Sequence, residues 1–426
     1  MLLGVDSRVI EESTALRSLT QGARWTDIAD RRWLSLCAPG GDRYVALLST
    51  PDLRDTASVT AVGVSLIARL ELAGVLVVRE RPDDHPYPLT VPYSTVRLFG
   101  GSVCSTYLDL DALVVRKSLR PTQLDSQDGR DRHQLEFAFM SAIPTGCRHL
   151  FPKARLLRSP TSDHALTLEM DFVRGYSLGE RVLRGEVTGH RLCALVDELT
   201  NHLRQSLWSS RPCLLQRSYF DVIRRRFSHL LNGRGIFARL WTAGATVNGI
   251  HLGGLEKLVA SAERQWPQLA SLQGSGAHGD LILDDILLVQ YNSGHEIKLV
   301  DPNPQNVSWF IDMAKLMMSA RLKYEVIYSG RYECAWSIQD DVFELSFAIT
   351  DSRSWSCLDD LAEHLAQRAE MMMVEHPESL RRILLEVQAC LNMLALPSFH
   401  HIHHQEYERS VMFTVLGMSR LQQLLG

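Results

Sequence analysis

The residues best suited to chemistry lie in one stretch of the second half of this 426-residue chain. His278-Gly279-Asp280-Leu281 comes first, Asp285-Ile286-Leu287 follows, and Asp301-Pro302 stands 21 residues after Asp280. Moving a phosphoryl group from a nucleotide to a hydroxyl needs a carboxylate to orient or deprotonate the acceptor. It also needs hard oxygen ligands to hold magnesium against the phosphates, and a lysine to grip the α- and β-phosphates. Asp280 suits the first task, and Asp285 and Asp301 suit the second. The apolar runs 281–289 and 297–300 flank Asn292-Ser293-Gly294 and read as a short hairpin. That hairpin would bring both sets of carboxylates to one cleft floor.

The elements that must position these residues fall into three segments. Residues 1–93 read as a small α/β unit of no assigned role. It has a helix over 9–19, a hairpin of 33–37 with 44–48 around Pro39-Gly40-Gly41-Asp42, a helix over 58–73 and a strand over 75–78. The proline-rich stretch 81–92 is a linker candidate. Residues 94–175 read as five strands with one helix after the third. The strands are 96–99, 103–108, 113–115, 154–157 and 166–170; a polar loop spans 123–132, and the helix covers 134–143. Residues 176–426 read as helical. Apolar residues recur at 3.6-residue spacing over 191–207, 219–231 and 255–266, and after Asp312 the chain reads as mostly helical to its end. A β-rich segment followed by a helical one predicts a ligand cleft between two lobes.

The stretch from His278 resembles a known family. H-G-D-L-x-x-x-x-I-L, then D-P, then D-x-A-K-L is similar to the signature of aminoglycoside phosphotransferase-like and choline kinase-like proteins. It is carried here by His278–Leu287, Asp301-Pro302 and Asp312-Met313-Ala314-Lys315-Leu316. Ser319 and the stretch Tyr324 to Gly330 look like a subgroup of that family that often accompanies sugar or capsule biosynthesis. The resemblance covers about three-quarters of the chain. It implies an α+β, bilobal protein-kinase-like fold with a small β-rich N-lobe, a large helical C-lobe and an extra N-terminal α/β segment. It also implies that Asp280 is the catalytic base, that Asp301 binds metal and that Asp312 braces the catalytic loop.

The same resemblance extends into 94–175. Gly100, Gly101, Ser102 and Ser105 look like a phosphate-covering loop, where glycine lets backbone N–H groups approach phosphates closely. Val114-Val115-Arg116-Lys117 looks like the third strand with its nucleotide lysine, and Glu136 like the glutamate that positions Lys117. The segment Leu168 to Val173, with Glu169 and Asp171, resembles the hinge whose backbone meets adenine. ATP or GTP and Mg2+ are the implied cofactors, and a small-molecule hydroxyl (sugar, amino alcohol or aminoglycoside) is the implied acceptor.

Three residues depart from the family pattern. Asp285 stands where asparagine is usual, Pro304 where a glycine follows D-P, and Ile282 where histidine is common. Aspartate still ligates magnesium but adds negative charge beside phosphates, and Pro304 stiffens the loop and removes a backbone donor. These departures support a second reading, a degenerate pseudokinase that acts as a binding or scaffold protein. A third reading is nucleotidyl transfer to a protein.

Composition narrows the partners. Forty-five basic against 49 acidic side chains give a net charge of -4, which makes no electrostatic case for nucleic acid or an anionic membrane. The eight cysteines are scattered without a C-x-x-C pair and read as free thiols. No signal peptide or 18-residue apolar span is evident, so a cytoplasmic location is expected. A homo-oligomer or a partner protein bound through residues 1–93 is a further expectation. The Arg224-Arg225-Arg226 run reads as a solvated helix face. The histidines at 400, 401, 403 and 404 read as a loop before the last helix rather than as a metal site.

Overall fold

The computed structural model describes residues 24–28, 31–37, 43–49, 95–98, 104–109, 112–119, 127–159, 162–173, 175–210, 217–231, 235–291, 294–339, 342–398 and 407–426. The chain divides into two units, residues 1–137 with 153–172 and residues 138–152 with 173–426.

In the first unit, strands β1 (Arg24–Ile28), β2 (Arg31–Cys37) and β3 (Arg43–Ser49) pair antiparallel in that order. The expected hairpin is the β2–β3 pair, with Trp33 opposite Leu47 and Leu36 opposite Tyr44. The strand β1 adds to it and was not expected. The helices over 9–19 and 58–73, the strand over 75–78 and the linker over 81–92 lie outside the described residues.

A second sheet runs β4-β5-β6-β8-β7, all antiparallel. Its strands are β4 (Thr95–Leu98), β5 (Cys104–Asp109), β6 (Val114–Leu119), β7 (Ala154–Ser159) and β8 (Ser162–Asp171). Helix α1 (Gln127–Ala142) stands between β6 and β7. It begins inside the stretch expected to be a polar loop: polarity marks a solvated surface, and a solvated helix is as polar as a loop. Side chains alternate across a strand, so the sheet sorts its residues by register. Thr106, Lys117 and Leu168 line up across three strands and are buried. Arg116, Glu169 and Arg155 line up on the opposite face.

The second unit is built round α7 (Trp309–Arg321), in which every residue from Phe310 to Ala320 is buried. A helix apolar nearly all round belongs in a core, and each fully buried Leu, Met or Phe contributes about 1.5–3 kcal/mol. Around it pack α9 (Ser352–Met372) and α10 (Glu378–Leu394); α3 (Gly189–Gln205) lies against α9 and α11 (Tyr407–Leu425) against α10. The shorter helices are α2 (Leu178–Leu183), α4 (Tyr219–Leu230), α5 (Ile236–Thr242), α6 (Leu255–Gln265) and α8 (Tyr324–Tyr328). The expected hairpin is β12 (Ile286–Tyr291) with β13 (Gly294–Leu299), and β9 (Tyr176–Ser177) adds to its edge. Residues 281–285, read as part of its first strand, form an irregular segment ending in a 3-10 turn, Leu283–Asp285.

The expectation of mostly helix after Asp312 omits a strand pair. Strands β14 (Tyr332–Gln339) and β15 (Val342–Ile349) form a hairpin, and with β10 (Ala245–Val247) and β11 (Ile250–Leu252) they make a sheet in the order β11-β10-β15-β14. The period-2 signal is present in β15, where Phe343 and Leu345 are buried and Glu344, Ser346 and Ala348 are exposed. Cys147, Cys193, Cys334, Cys357 and Cys390 are free thiols. Among the described residues no helix is long and apolar enough to cross a membrane.

Candidate functional site

In the second unit a short loop carries Asp280, and its backbone is pinned at three points. Gly279 has φ +83°, and a Cβ there would run into the Asn303 carbonyl oxygen, so the turn needs glycine. The Asp312 carboxylate, from the first turn of α7, accepts the N–H of His278 at 2.8 Å and of Gly279 at 2.7 Å. It also accepts the indole N–H of Trp208 at 2.9 Å. Burial pushes the Asp312 carboxyl up to about 7, against the pull of those three donors. The expected bracing role of Asp312 therefore has a physical form: one buried carboxylate satisfies two adjacent backbone donors.

His278, itself fully buried, joins the two acidic loops. Its Nε2 lies 2.9 Å from the Val300 carbonyl, which can only accept, so Nε2 carries the proton. Nδ1 is then left to accept the N–H of Asp280 at 3.4 Å. The Asn303 N–H donates to the His278 carbonyl at 2.8 Å, and the Asn306 amide donates to the Gly279 carbonyl at 2.8 Å.

The Val300 N–H donates to the Asp285 carbonyl at 3.1 Å, which sets Asp301 beside Asp285 at the base of the β12–β13 hairpin. Asp301 sits in the left-handed region at φ +55°, where aspartate is one of the few side chains tolerated. Both carboxylates are half-buried. Among the described residues no three His, Cys, Asp or Glu side chains converge as a metal cage. Two hard carboxylates still suit magnesium, which keeps waters and takes the rest of its ligands from phosphates.

The Asp280 carboxylate is a third exposed, and its Oδ1 lies 2.8 Å from the ammonium of Lys315, whose side chain is 7% exposed. Lys315 follows Asp312 by three residues on α7, so both reach the same loop from one helix face. The sequence showed Lys315 only as part of a motif, and Trp208 not at all.

Beneath the loop lies a second carboxyl pair, also unforeseen. Ser319 Oγ donates to Glu325 at 2.7 Å, and the Leu283 N–H donates to the same oxygen at 3.1 Å. Ser177, the N-cap of α2, donates its hydroxyl to Asp284 at 3.0 Å. Gly179 leaves the room for this, since a Cβ there would meet both Asp284 and Glu325. Burial, and next the nearby Asp284, push Glu325 up to about 8; burial also raises Asp284.

In the first unit Lys117 Nζ meets Glu136 Oε1 at 2.7 Å, with side chains 10% and 4% exposed. The other residues expected at the nucleotide lie as follows. Gly100, Gly101 and Ser102 lie outside the described residues; Ser105 lies in β5 opposite Ser118. Glu169 does not offer its side chain: it is 2% exposed and held by Arg116 (2.8 Å) and Arg155 on one sheet face. Asp171, at the end of β8, is exposed. The N–H groups of Asp171 and Phe172 donate to the Lys153 and Leu113 carbonyls.

A cavity of about 330 Å³ lies elsewhere in the second unit, lined by Arg181, Arg191, Leu195, Leu288, Gln290 and His295 among others, and contains none of these residues. Arg224, in the basic run, pairs with Glu263 and Asp221. The histidines at 400, 401, 403 and 404 lie outside the described residues.

No protein-family model matches the chain, and no curated protein matches it in sequence. Among solved structures it is similar to a choline kinase from Cryptosporidium parvum, at 11% identity over 85% of this chain and 94% of that one, with a TM-score of 0.39. It is also similar to the aminoglycoside phosphotransferase APH(3'')-Id from Streptomyces rimosus, solved with ADP and streptomycin. That match has 16% identity over 62% of this chain and 87% of that one, with a TM-score of 0.34. At such TM-scores the overlap is loose, and the functional reading rests on the side chains themselves.

Proposed function

We propose that the protein is a nucleotide-dependent phosphotransferase acting on a hydroxyl of a small molecule. The observation that carries this reading is the state of Asp280. It sits on a loop whose backbone is pinned by Asp312, one oxygen is held by Lys315, and the carboxylate stays a third exposed. The carboxylate is thus held through one oxygen on a pinned loop and open at the other, as a group that orients an acceptor must be.

Asp280 would receive or orient the acceptor hydroxyl proton. Asp301 and Asp285 would hold magnesium, which supplies charge neutralisation at the phosphates. Lys117, kept in place by Glu136, would hold phosphate oxygens of ATP or GTP. In this reading catalysis comes from alignment and charge rather than from covalent chemistry.

A thermal-shift titration with ATP and GTP, with and without magnesium, tests it on wild type and Asp301→Ala. A magnesium-dependent rise in Tm that the variant loses supports the reading, and sugars, amino alcohols and aminoglycosides are then the acceptors to screen. No shift with either nucleotide at millimolar concentration would remove it. A nucleotide-induced shift without any magnesium-dependent turnover would favour the binding-protein reading that Asp285 and Pro304 motivate.

A further inference from the structure

We propose, building on the phosphotransferase reading, that Lys315 is the positioning residue of the reaction. By holding Oδ1 of Asp280, its ammonium fixes which carboxylate oxygen, Oδ2, meets the acceptor hydroxyl.

Three observations carry this. The first is the contact itself, 2.8 Å between Lys315 Nζ and Asp280 Oδ1. The second is its asymmetry: the lysine side chain is 7% exposed and the aspartate 35%. A buried ammonium needs a counter-charge, whereas a carboxylate one-third exposed could be solvated without one. The lysine therefore depends on the pair for its charge, and the aspartate gains orientation from it. The third is placement. Asp312 pins the loop backbone at His278 and Gly279, and Lys315, one turn on along the same buried helix, takes the side chain of the next residue. A single rigid helix thus sets both the path of the loop and the rotamer of its carboxylate, which is how a reacting group is held within the tolerance that alignment requires.

Lys323 provides an internal contrast. It also makes a short ion pair, 2.6 Å to Asp359, with exposures of 3% and 45%. Its ammonium is shared, however, with the Trp355 carbonyl at 3.3 Å and lies 5.0 Å from the Trp355 ring centroid, and it bonds to helix α9. That pair ties the connection between α7 and α8 to helix α9, whereas the Lys315 pair ends on the loop that carries Asp280. In the transfer step the acceptor O–H proton passes to Asp280 Oδ2 as the new O–P bond forms. The bond from Pγ to the bridging oxygen breaks, and its electron pair leaves on the nucleoside diphosphate.

The test uses the full chain, with ATP and magnesium and water as acceptor. Phosphate release gives kcat, and a fluorescent ATP analogue gives the nucleotide Kd. Lys315→Met is expected to lower kcat by about 100-fold while Kd stays within about threefold. Lys315→Arg, which keeps the charge, should recover about tenfold of that loss. Asp280→Asn combined with Lys315→Met should be no slower than Asp280→Asn alone, because the two act as one unit. Lys323→Met should lower Tm and leave kcat within about threefold.

Turnover of Lys315→Met within threefold of wild type, beside a dead Asp280→Asn, would overturn the positioning role and leave the phosphotransferase reading standing. So would a double variant about 100-fold slower than Asp280→Asn. If Lys315→Met does not fold, Lys315→Arg and the charge-free double variant decide the matter. A wild type that neither binds the analogue nor releases phosphate removes both readings together.

Discussion

Two lysine–carboxylate pairs, one in each unit, have nearly the same geometry and similarly buried lysines, but differ in the exposure of the carboxylate. Lys117 and Glu136 meet at 2.7 Å, and Glu136 is 4% exposed. Lys315 and Asp280 meet at 2.8 Å, and Asp280 is 35% exposed. In the first pair both side chains are nearly sealed, the lysine at 10% exposure and the glutamate at 4%. In the second the lysine is sealed and the carboxylate opens outward. Buried ion pairs recover little net stability because both charges must be desolvated. These two are better explained by what they position than by what they hold together, and of their four side chains the Asp280 carboxylate is the most open.

The sharpest way to break this comparison is Asp280→Asn. Turnover should fall by about 1,000-fold or more while the nucleotide Kd changes little, as single-turnover kinetics with ATP and magnesium would reveal. Unchanged turnover would mean that the open carboxylate is not the working one. Lys117→Met should differ in its effect on binding, weakening the nucleotide Kd about tenfold or more besides lowering kcat by about 100-fold, read by the same measurements. Equal effects of the two substitutions on Kd would erase the functional difference between the pairs.

Asp312→Ala probes the element behind the open pair. It leaves the N–H groups of His278 and Gly279 and the indole of Trp208 without their acceptor in a buried site. A loss of about 3–5 kcal/mol is expected, measured as a drop in the urea midpoint at constant slope. A smaller effect concerns pH. Asp312, raised to about 7, and Glu325, raised to about 8, keep protons in the folded state that the unfolded chain has already given up. As far as these two groups decide it, stability is therefore greatest at and below about pH 4, and it falls as pH rises from about 4 to about 8. Glu325→Gln should flatten the upper part of that fall, raising Tm at pH 8 by about 3 °C or more. A pH profile of the urea midpoint identical to wild type would show that Glu325 is ionised in the fold.

Much of the local architecture was legible beforehand. Strand candidates around Val96, Val103, Val114, Ala154 and Leu166 became one antiparallel sheet, and the spacing around Asn292-Ser293-Gly294 became the β12–β13 hairpin. Both depend on nearest neighbours along the chain and on side-chain periods that a sequence displays directly. What was missed is instructive. The β14–β15 hairpin carries its period-2 signal in Phe343, Leu345, Phe347 and Ile349, but it sits among helices, and the expectation of helix to the C-terminus overrode it. Helix α1 begins seven residues before the helix expected from Gln134, because polar residues do not distinguish an exposed helix from a loop. The ion pairs of Glu169 were not legible either: the register of β6, β7 and β8 places Arg116 and Arg155 on either side of it.

The sequence by itself determined the short-range geometry. Glycine at 279 permits the left-handed turn before Asp280, and the 15 residues between Asp285 and Asp301 bring these two residues to the base of one hairpin. Only the tertiary structure decided which charges face one another. Trp208 reaches Asp312 across 104 residues, Glu325 reaches Leu283 across 42, and Lys315 finds Asp280 because α7 is buried at the centre of its unit. The reason is physical: periodicity reports which side of an element is buried, but the partner it meets there depends on how separate elements pack. A buried charge then takes the one counter-charge that packing has left within reach.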